Sequence, residues 1–280
     1  MTDISMGEAG ENPLVPNEKL RQMYLKMLEV RKLDETAAKR AAAAGKRRIA
    51  TIQGQEAVRV STIVELGKHD LISDTEPTAG MGLLLGGDRA SLLRGIASSK
   101  SEPEDLFNNA GCARYLGWVR EADERLQLAL GAALALKTQG RGGIVVAYAQ
   151  KDELSAAAWK KILSSAAKHA LPIIFVVLPR AGAIRKGAEL NELCKVARAA
   201  GVPGIPVDAC DSVALYRVTQ ESLGRTRGGD GPVLIESVRW RVEGKRTGID
   251  DPLEHLKQFL LERRICDAKW FGQAAGKKNR

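Results

Sequence analysis

The segment from Ile144 to Leu178, IVVAYAQKDELSAAAWKKILSSAAKHALPIIFVVL, contains two short apolar runs separated by a stretch with helical spacing. The first run predicts a strand over Gly143–Ala149, and the second predicts a strand over Pro172–Leu178. Between them, the spacing of apolar residues predicts a helix over Leu154–Ala170. Two strands joined by a helix are typical of parallel sheets, whose crossover connections need a dozen or more residues. The segment therefore predicts an α/β fold.

The rest of the second half of the chain continues this alternation. Its patterns predict two more strands, over Gly204–Val207 and Pro232–Arg239, and further helices over Leu126–Thr138, Glu189–Ala200, Ser212–Arg225 and Pro252–Arg264. Four short apolar runs that alternate with helices predict a parallel sheet with helices on both faces.

The first half is predicted to be mainly helical. A long amphipathic helix is predicted to begin at Asn17 as its N-cap and to end at Gly45, and a second helix covers Gly54–Gly67. The stretch DLIS predicts a short strand, and PTAGMGLLLGG a glycine-rich loop. We predict a flexible arm over residues 1–16, a single domain over 17–270 and a basic tail over 271–280.

The charge and the composition disfavour several classes of function. The net charge is +9, but the basic pairs are spread along the chain and no run interleaves them with aromatic residues, so nucleic-acid binding is not favoured. The four cysteines and three histidines lack the spacing of a Cys/His metal site, and isolated cysteines suit a cytoplasmic location. No segment has the pattern of a secretory signal or a membrane span.

Ligands of parallel α/β sheets bind at the carboxyl ends of the strands. Of the four loops predicted at that edge, three carry cations, among them Lys151, Arg180 and Lys245. This distribution predicts an electropositive crevice for an anion such as a phosphate or a carboxylate. The alternative is that surface loops of a protein with net charge +9 are basic in any case.

Several phrases occur in an order and spacing that resemble a known family. They are QGQEAVRVSTIVEL, LALGAALALK, HALPIIFVV, AGVPGIPVDACDSVALYRVTQESLGRTRGGDGPVLIESVRWR and TGIDDP. Together they resemble the alpha subunit of the thiamine-diphosphate-dependent 2-oxo acid dehydrogenases, the decarboxylating component of the pyruvate, branched-chain and acetoin dehydrogenase complexes. The resemblance runs from about Leu20 to Ile265. It implies the thiamine-diphosphate-binding fold, oxidoreductase chemistry with thiamine diphosphate and Mg²⁺, and a beta-type partner subunit.

The metal-binding positions depart from that family pattern. The resemblance implies a Gly-Asp-Gly turn after the first strand of the opening segment and an Asn after the next strand, with Asp and Asn holding Mg²⁺. Lys151 stands at the Asp position and Arg180 at the Asn position. An ammonium and a guanidinium offer no oxygen ligand. A shift of one residue would restore Asp152 as a ligand, but it would leave no Asn partner.

Other positions that the resemblance marks are also altered. The Tyr-Arg pair falls on Glu76 and Pro77, two His positions fall on Ala79 and Met81, and a third His falls on Lys245. The sequence thus predicts a divergent alpha-type subunit without catalytic residues or metal ligands, with a structural or regulatory role.

Two other functions stay open at this point. In the first, Lys151, Asp152, Arg180 and Lys245 form a cofactor-type site that binds an anion directly. In the second, the chain is an active alpha subunit that uses thiamine diphosphate for oxidative decarboxylation of a 2-oxo acid with a beta-type partner. We expect a homo-oligomer, or a hetero-oligomer with that partner. Trp159 is predicted at a subunit interface, and Asp251-Pro252 as a helix cap.

Overall fold

A computed structural model of the protein describes residues 12–45, 49–98, 105–179, 192–239 and 251–276. In these ranges the strands form one sheet, composed of β1 (Leu71–Ser73), β2 (Val145–Gln150), β3 (Ile173–Leu178), β4 (Gly204–Asp208) and β5 (Val233–Val238). The order across the sheet is β1-β2-β3-β5-β4, and every neighbouring pair is parallel. The predicted parallel α/β sheet is confirmed.

The described ranges contain eleven helices. They are α1 (Asn17–Ala43), α2 (Glu56–Ile63), α3 (Ala79–Leu84), α4 (Arg89–Ala97), α5 (Asp105–Asn109), α6 (Ala122–Gln139), α7 (Ala156–Lys168), α8 (Glu192–Ala199), α9 (Ser212–Arg227), α10 (Pro252–Glu262) and α11 (Ala268–Gly276). A single turn of 3-10 helix, Lys151–Glu153, connects β2 to the segment before α7.

The sheet separates two apolar clusters because successive side chains of a strand point to opposite faces. On β2, Val146 and Tyr148 belong to a cluster with residues of α1, α2 and α9. Val145 and Ala147 belong to the other cluster, with residues of α6, α7 and α8. Helices therefore cover both faces, as the sequence predicts.

Helix starts follow the capping residues of the sequence. The Asp251 side chain accepts hydrogen bonds from Leu253 N (2.9 Å) and Glu254 N (3.0 Å), and Pro252 occupies the first turn of α10. The predicted Asp-Pro cap is confirmed. By contrast, the prediction of Asn17 as N-cap of α1 is wrong. The residue before the helix is Pro16, and Asn17 Oδ1 instead accepts from Asn12 N (3.1 Å).

The predicted glycine-rich loop is also wrong, because much of it forms α3. Thr78 caps this helix by accepting a hydrogen bond from Met81 N (3.1 Å). Gly80 and Gly82 serve close packing within the helix: a Cβ at Gly80 would lie 2.7 Å from Val30 Cγ1, and one at Gly82 would lie 2.4 Å from Leu92 Cδ2. Glycine here permits helix contact and does not break the helix.

Three other expectations need correction. Trp159 was expected at a subunit interface, but it is only 1% exposed within the protomer and belongs to the apolar cluster of α6, α7 and α8. Residues 271–276, expected in a tail, continue α11, with Phe271 packed edge-on against Tyr24. Val15, expected in a mobile arm, is fully buried. In each case a packing surface from a distant part of the chain covers an apolar side chain.

None of the described helices combines the length and the apolar character that a membrane crossing requires.

Candidate functional site at the carboxyl edge of the sheet

The turn after β2 lies at the carboxyl edge of the sheet. Gln150, the last residue of β2, pairs in register with Leu178 at the end of β3. Lys151 follows directly and begins the 3-10 turn. The sequence therefore places Lys151 correctly, at the end of a central strand, where parallel sheets bind ligands.

Three contacts stabilise this turn. Gln150 and Glu153 form a reciprocal capping box, in which Gln150 N donates to Glu153 Oε2 (3.0 Å). Arg125, buried at the start of α6, donates to the same carboxylate oxygen (2.7 Å). Trp159 Nε1 donates to the carbonyl oxygen of Lys151 (3.1 Å). The turn is thus tied to α6 and α7.

The Lys151 ammonium forms an ion pair with the Glu192 carboxylate at the start of α8. The Lys151 side chain is 23% exposed and that of Glu192 is 55% exposed, so the pair lies at the rim of the edge. An acidic partner offsets the positive charge that the sequence predicts at this position.

Lys151, at the end of β2, does not fit an Mg²⁺ site. Magnesium prefers near-octahedral oxygen coordination, and Lys151 supplies an ammonium. In the described part of the chain, no group of three or more His, Cys, Asp or Glu side chains is placed to hold a metal ion. Asp152 is exposed beside Lys151, while Arg180 and Lys245 lie outside the described residues.

A buried ion pair lies at the neighbouring strand end. Asp74 follows β1 by one residue, and its Oδ2 accepts from Arg59 Nη1 of α2 (2.6 Å). The two side chains are 0% and 2% exposed. Arg59 also donates from Nε to Gln55 (3.1 Å), and its Cζ lies 4.8 Å from the ring centroid of Tyr148 on β2. This cluster places paired protein groups beside the end of β1.

Next to this cluster, Asp34 of α1 holds two other segments. Its Oδ2 accepts from Ile52 N (2.8 Å) and its Oδ1 accepts from Gly80 N of α3 (2.7 Å). Burial raises the pKa of Asp34 to about 6, although the two N–H donors act in the opposite direction. Asp34 therefore joins α1, the segment before α2 and the start of α3 through one carboxylate.

The sequence profile of the family described as "Dehydrogenase E1 component" matches residues 24–258, which is most of the chain. The chain belongs to this family.

Curated relatives specify the subunit type. The 3-methyl-2-oxobutanoate dehydrogenase subunit alpha of Mycobacterium tuberculosis is 28% identical over 253 residues, which are 89% of this chain and 68% of that one. The pyruvate dehydrogenase E1 component subunit alpha of Staphylococcus aureus is 33% identical over 131 residues, 45% of this chain. That match spans only 35% of the length of the Staphylococcus aureus relative. The protein is an alpha-type member of the E1 family.

A solved structure from Mycobacterium smegmatis, described as a thiamin diphosphate-dependent enzyme, has a TM-score of 0.42 and 15% identity. The structural match covers 68% of this chain and 32% of the Mycobacterium smegmatis chain. The assignment to the E1 family does not depend on this likeness.

In this E1 alpha-type chain, positions where the resemblance implies polar cofactor contacts carry packing residues. Ala79 and Met81, at the two His positions, are fully buried in α3, and the Met81 sulfur lies 3.6 Å from Arg59 Nη1. At the Tyr position, partial desolvation and the nearby Asp74 carboxylate raise the pKa of Glu76. Apolar and acidic groups thus lie along this edge at the positions where the resemblance implies imidazoles and a phenol.

The sequence patterns did not predict the buried polar groups at the carboxyl edge of the sheet. Arg59, Asp74 and Asp34 are buried, yet their sequence contexts resemble those of ordinary exposed helical or loop residues. One signal was available: charged residues flanked by apolar positions, as in EAVRV, rarely remain buried without a partner. The partners themselves could not be read from the sequence.

Two of the cavities that described residues line lie away from the carboxyl edge. One, of about 720 Å³, lies between α1 and the α10–α11 connection and includes Arg21, Cys266 and Trp270. The other, of about 250 Å³, lies at the amino ends of β2 and β3 and includes Gly143 and Pro172. Neither contains a residue that the sequence predicts for cofactor binding.

Proposed function

We propose that this chain is an alpha-type E1 subunit that has kept the family fold and its role in subunit assembly without holding Mg²⁺ and thiamine diphosphate. The observation that carries the proposal is the ion pair between Lys151 and Glu192 at the end of β2. A lysine engaged with an acidic partner occupies the position where the family resemblance implies a metal-binding aspartate.

Electrostatics supports this proposal. An ammonium at the end of β2 repels a divalent cation, and no rotation of the lysine side chain supplies an oxygen ligand. Recruiting Glu192 as a ligand would remove the partner of Lys151 and would leave the two cations close together. Arg125 and Trp159 also hold the turn, with Lys151 at its start, through hydrogen bonds to Glu153 and to the Lys151 carbonyl oxygen.

Direct anion binding by Lys151, Arg180 and Lys245 is the weaker alternative. Glu192 already offsets the Lys151 charge, so an anion would have to displace that carboxylate or bind beside it. Arg180 and Lys245 lie outside the described residues, and their participation stays a prediction. Activity in 2-oxo acid decarboxylation and a cytoplasmic location also stay predictions.

The test is binding of thiamine diphosphate, measured by thermal unfolding and calorimetry with and without Mg²⁺ at constant ionic strength. A ligand present at about 100 times its Kd stabilises the folded state by about 2.7 kcal/mol, which is readily visible as a rise in Tm. We expect no Mg²⁺-dependent rise. A clear Mg²⁺-dependent rise in the wild-type chain would refute the proposal.

Two double variants test whether Lys151 and Arg180 cause the expected absence of Mg²⁺-dependent binding of thiamine diphosphate. Lys151→Asp with Arg180→Asn restores the oxygen ligands that the resemblance implies, and Lys151→Met with Arg180→Met removes the same charges without adding any oxygen. Binding gained by the first variant and not by the second would show that the two substitutions account for the loss. Equal behaviour of both variants would place the cause elsewhere in the chain.

The assembly role is tested by purification of the tagged full chain from its native cells, with identification of the copurified subunits. A beta-type E1 subunit in stoichiometric amount supports the role. If the complex then decarboxylates 2-oxo acids with added thiamine diphosphate and Mg²⁺, the subunit is active and the proposal fails.

A further inference from the structure

The turn that connects α10 to α11 has the hydrogen bonds of a Schellman motif. Arg264 N donates to the carbonyl oxygen of Leu261 (3.0 Å), and Ile265 N donates to that of Leu260 (2.9 Å). Arg264 occupies the left-handed position of this motif, with a φ of 56°. Glycine is usual at this position, because a Cβ makes the left-handed region unfavourable. The chain therefore carries an arginine where the backbone alone would favour glycine.

The Arg264 side chain lines the cavity of about 720 Å³ between α1 and the α10–α11 connection. Arg21 of α1 lines the same cavity. Its Nη2 donates to the carbonyl oxygen of Ile265 (2.9 Å), and its guanidinium also forms a hydrogen bond with the Cys266 side chain. Because a guanidinium has five N–H donors, Arg21 keeps others for a ligand.

The charge along the wall of this cavity is positive. Among the described residues that line it, the acidic side chain is Asp267, which caps α11 by accepting a hydrogen bond from Trp270 N (2.7 Å). Within the part of the chain that the structure describes, neither Arg21 nor Arg264 has an acidic side chain as an ion-pair partner. Two guanidinium groups beside one carboxylate favour an anionic ligand.

The remaining wall is mainly apolar. Leu261 is 41% exposed, which is unusual for a large apolar side chain, and Ile265 forms part of the same surface. The indole ring of Trp270 packs against the rings of Tyr24 and Phe271, with centroid distances of 5.7 and 5.0 Å, so its position is fixed. Sites for small molecules typically combine such apolar walls with a few charged groups.

We propose that this cavity binds an amphipathic monocarboxylate, an acid with one carboxylate and a hydrocarbon chain. The carboxylate contacts Arg264 and Arg21, because a guanidinium matches the geometry of a carboxylate with two parallel N–H donors. The hydrocarbon chain lies against Leu261, Ile265 and Trp270. This role explains why an arginine is present at the left-handed position of the turn, where glycine would serve the backbone better.

Calorimetry of the full chain at low salt with butanoate, hexanoate and octanoate tests the apolar part of the site. Each methylene that becomes buried should lower the Kd roughly fourfold. Hexanol and hexylammonium test the charged part, since they keep the chain of hexanoate without its carboxylate. Both should bind at least about tenfold more weakly than hexanoate.

Arg264→Gln and Arg263→Gln form a matched pair of variants. Arg263 is adjacent and exposed, but its guanidinium lies over the Phe259 ring (5.8 Å from the centroid), and it is not among the lining residues. Both variants remove one positive charge from the same turn. Octanoate binding should weaken by about tenfold or more in Arg264→Gln and should stay unchanged in Arg263→Gln.

Arg264→Gly separates ligand binding from folding. This variant should unfold at a higher Tm than the wild-type chain, because glycine adopts the left-handed conformation without strain. It should nevertheless lose octanoate binding, since the guanidinium is absent. A loss of affinity in a more stable protein cannot result from unfolding.

Three results would overturn the proposal. They are equal affinities for hexanoate and hexanol, octanoate binding by Arg264→Gln at wild-type affinity, and an equal loss of binding in both glutamine variants. The last result would show that the carboxylate responds only to the general surface charge. The cavity lies away from the carboxyl edge, and none of these measurements uses thiamine diphosphate or Mg²⁺. The site can therefore fail its test without affecting the proposed function.

Discussion

The Lys151 ammonium is paired with the Glu192 carboxylate, 41 residues further along the chain, and the pair connects the end of β2 to the start of α8. Both side chains are partly exposed, and exposed ion pairs contribute at most about 1 kcal/mol to stability. The pair therefore matters more for the charge at the carboxyl edge than for the fold.

Glu192→Gln should separate these two effects. We expect the free energy of unfolding in urea to fall by less than about 1 kcal/mol. At low salt, calorimetry should show stronger binding of inorganic pyrophosphate, because the Lys151 charge is no longer offset. Glu254→Gln, which breaks the exposed pair with Lys257, is the control and should leave pyrophosphate binding unchanged. An unfolding loss of several kcal/mol in Glu192→Gln would contradict this view.

The buried pair of Arg59 and Asp74 should behave differently. Arg59→Met leaves the Asp74 carboxylate buried without its cation, and we expect a loss of about 3–5 kcal/mol in the free energy of unfolding. Combining Arg59→Met with Asp74→Leu should recover part of that loss, because no buried charge remains. Urea denaturation measures the free energy of unfolding of both variants. If Arg59→Met alone lies within about 1 kcal/mol of wild type, Asp74 finds other partners.

Asp34 should make stability depend on pH. Burial raises its pKa to about 6 from the ordinary value of 3.8, so the folded chain holds this proton to higher pH than the unfolded chain does. The stability that protonation contributes is fully present below about pH 3.8 and is lost as the pH rises through about 6. The total change is on the order of 2–3 kcal/mol.

Asp34→Asn removes this titration. Across pH 4 to 7, the unfolding free energy of the wild-type chain should therefore fall relative to that of the variant. The variant should also lose about 1–3 kcal/mol, since Ile52 N and Gly80 N face different carboxylate oxygens and Asn replaces one of these oxygens with an NH2 donor. Parallel pH profiles of the two proteins would mean that Asp34 does not titrate in this range.

Two glycine substitutions should have opposite effects. A Cβ at Gly80 would lie 2.7 Å from Val30 Cγ1 and 3.0 Å from Asp34 Oδ2, so Gly80→Ala should destabilise the chain by about 1–3 kcal/mol. Gly131→Ala meets no neighbour and should stabilise α6 by about 0.5–1 kcal/mol. Thermal unfolding compares the stability of the Gly80→Ala and Gly131→Ala variants. Equal effects would show that the packing around Gly80 relaxes without loss of stability.

The sequence predicted the structure best where the residues that determine an element lie close together in the chain. The strand–helix–strand pattern around β2, α7 and β3, and the Asp251-Pro252 cap, depend on residues close together in the chain. The prediction failed at α3, where glycines typical of a loop instead permit contact with Val30 and Leu92. It failed again at Trp159, whose surroundings are supplied by α6 and β2.

By itself, the sequence determined the parallel α/β fold, the membership in the E1 alpha-type family and the presence of a lysine at the end of β2. These follow from hydrophobic periodicity, capping and the order of local phrases, all of which act over a few residues. Only the tertiary structure decided that Lys151 pairs with Glu192, that Arg125 holds Glu153, and that Arg59 and Asp74 fill the neighbouring strand end. Such contacts join residues far apart in the chain, and they exist only once the sheet has brought its strand ends to one edge.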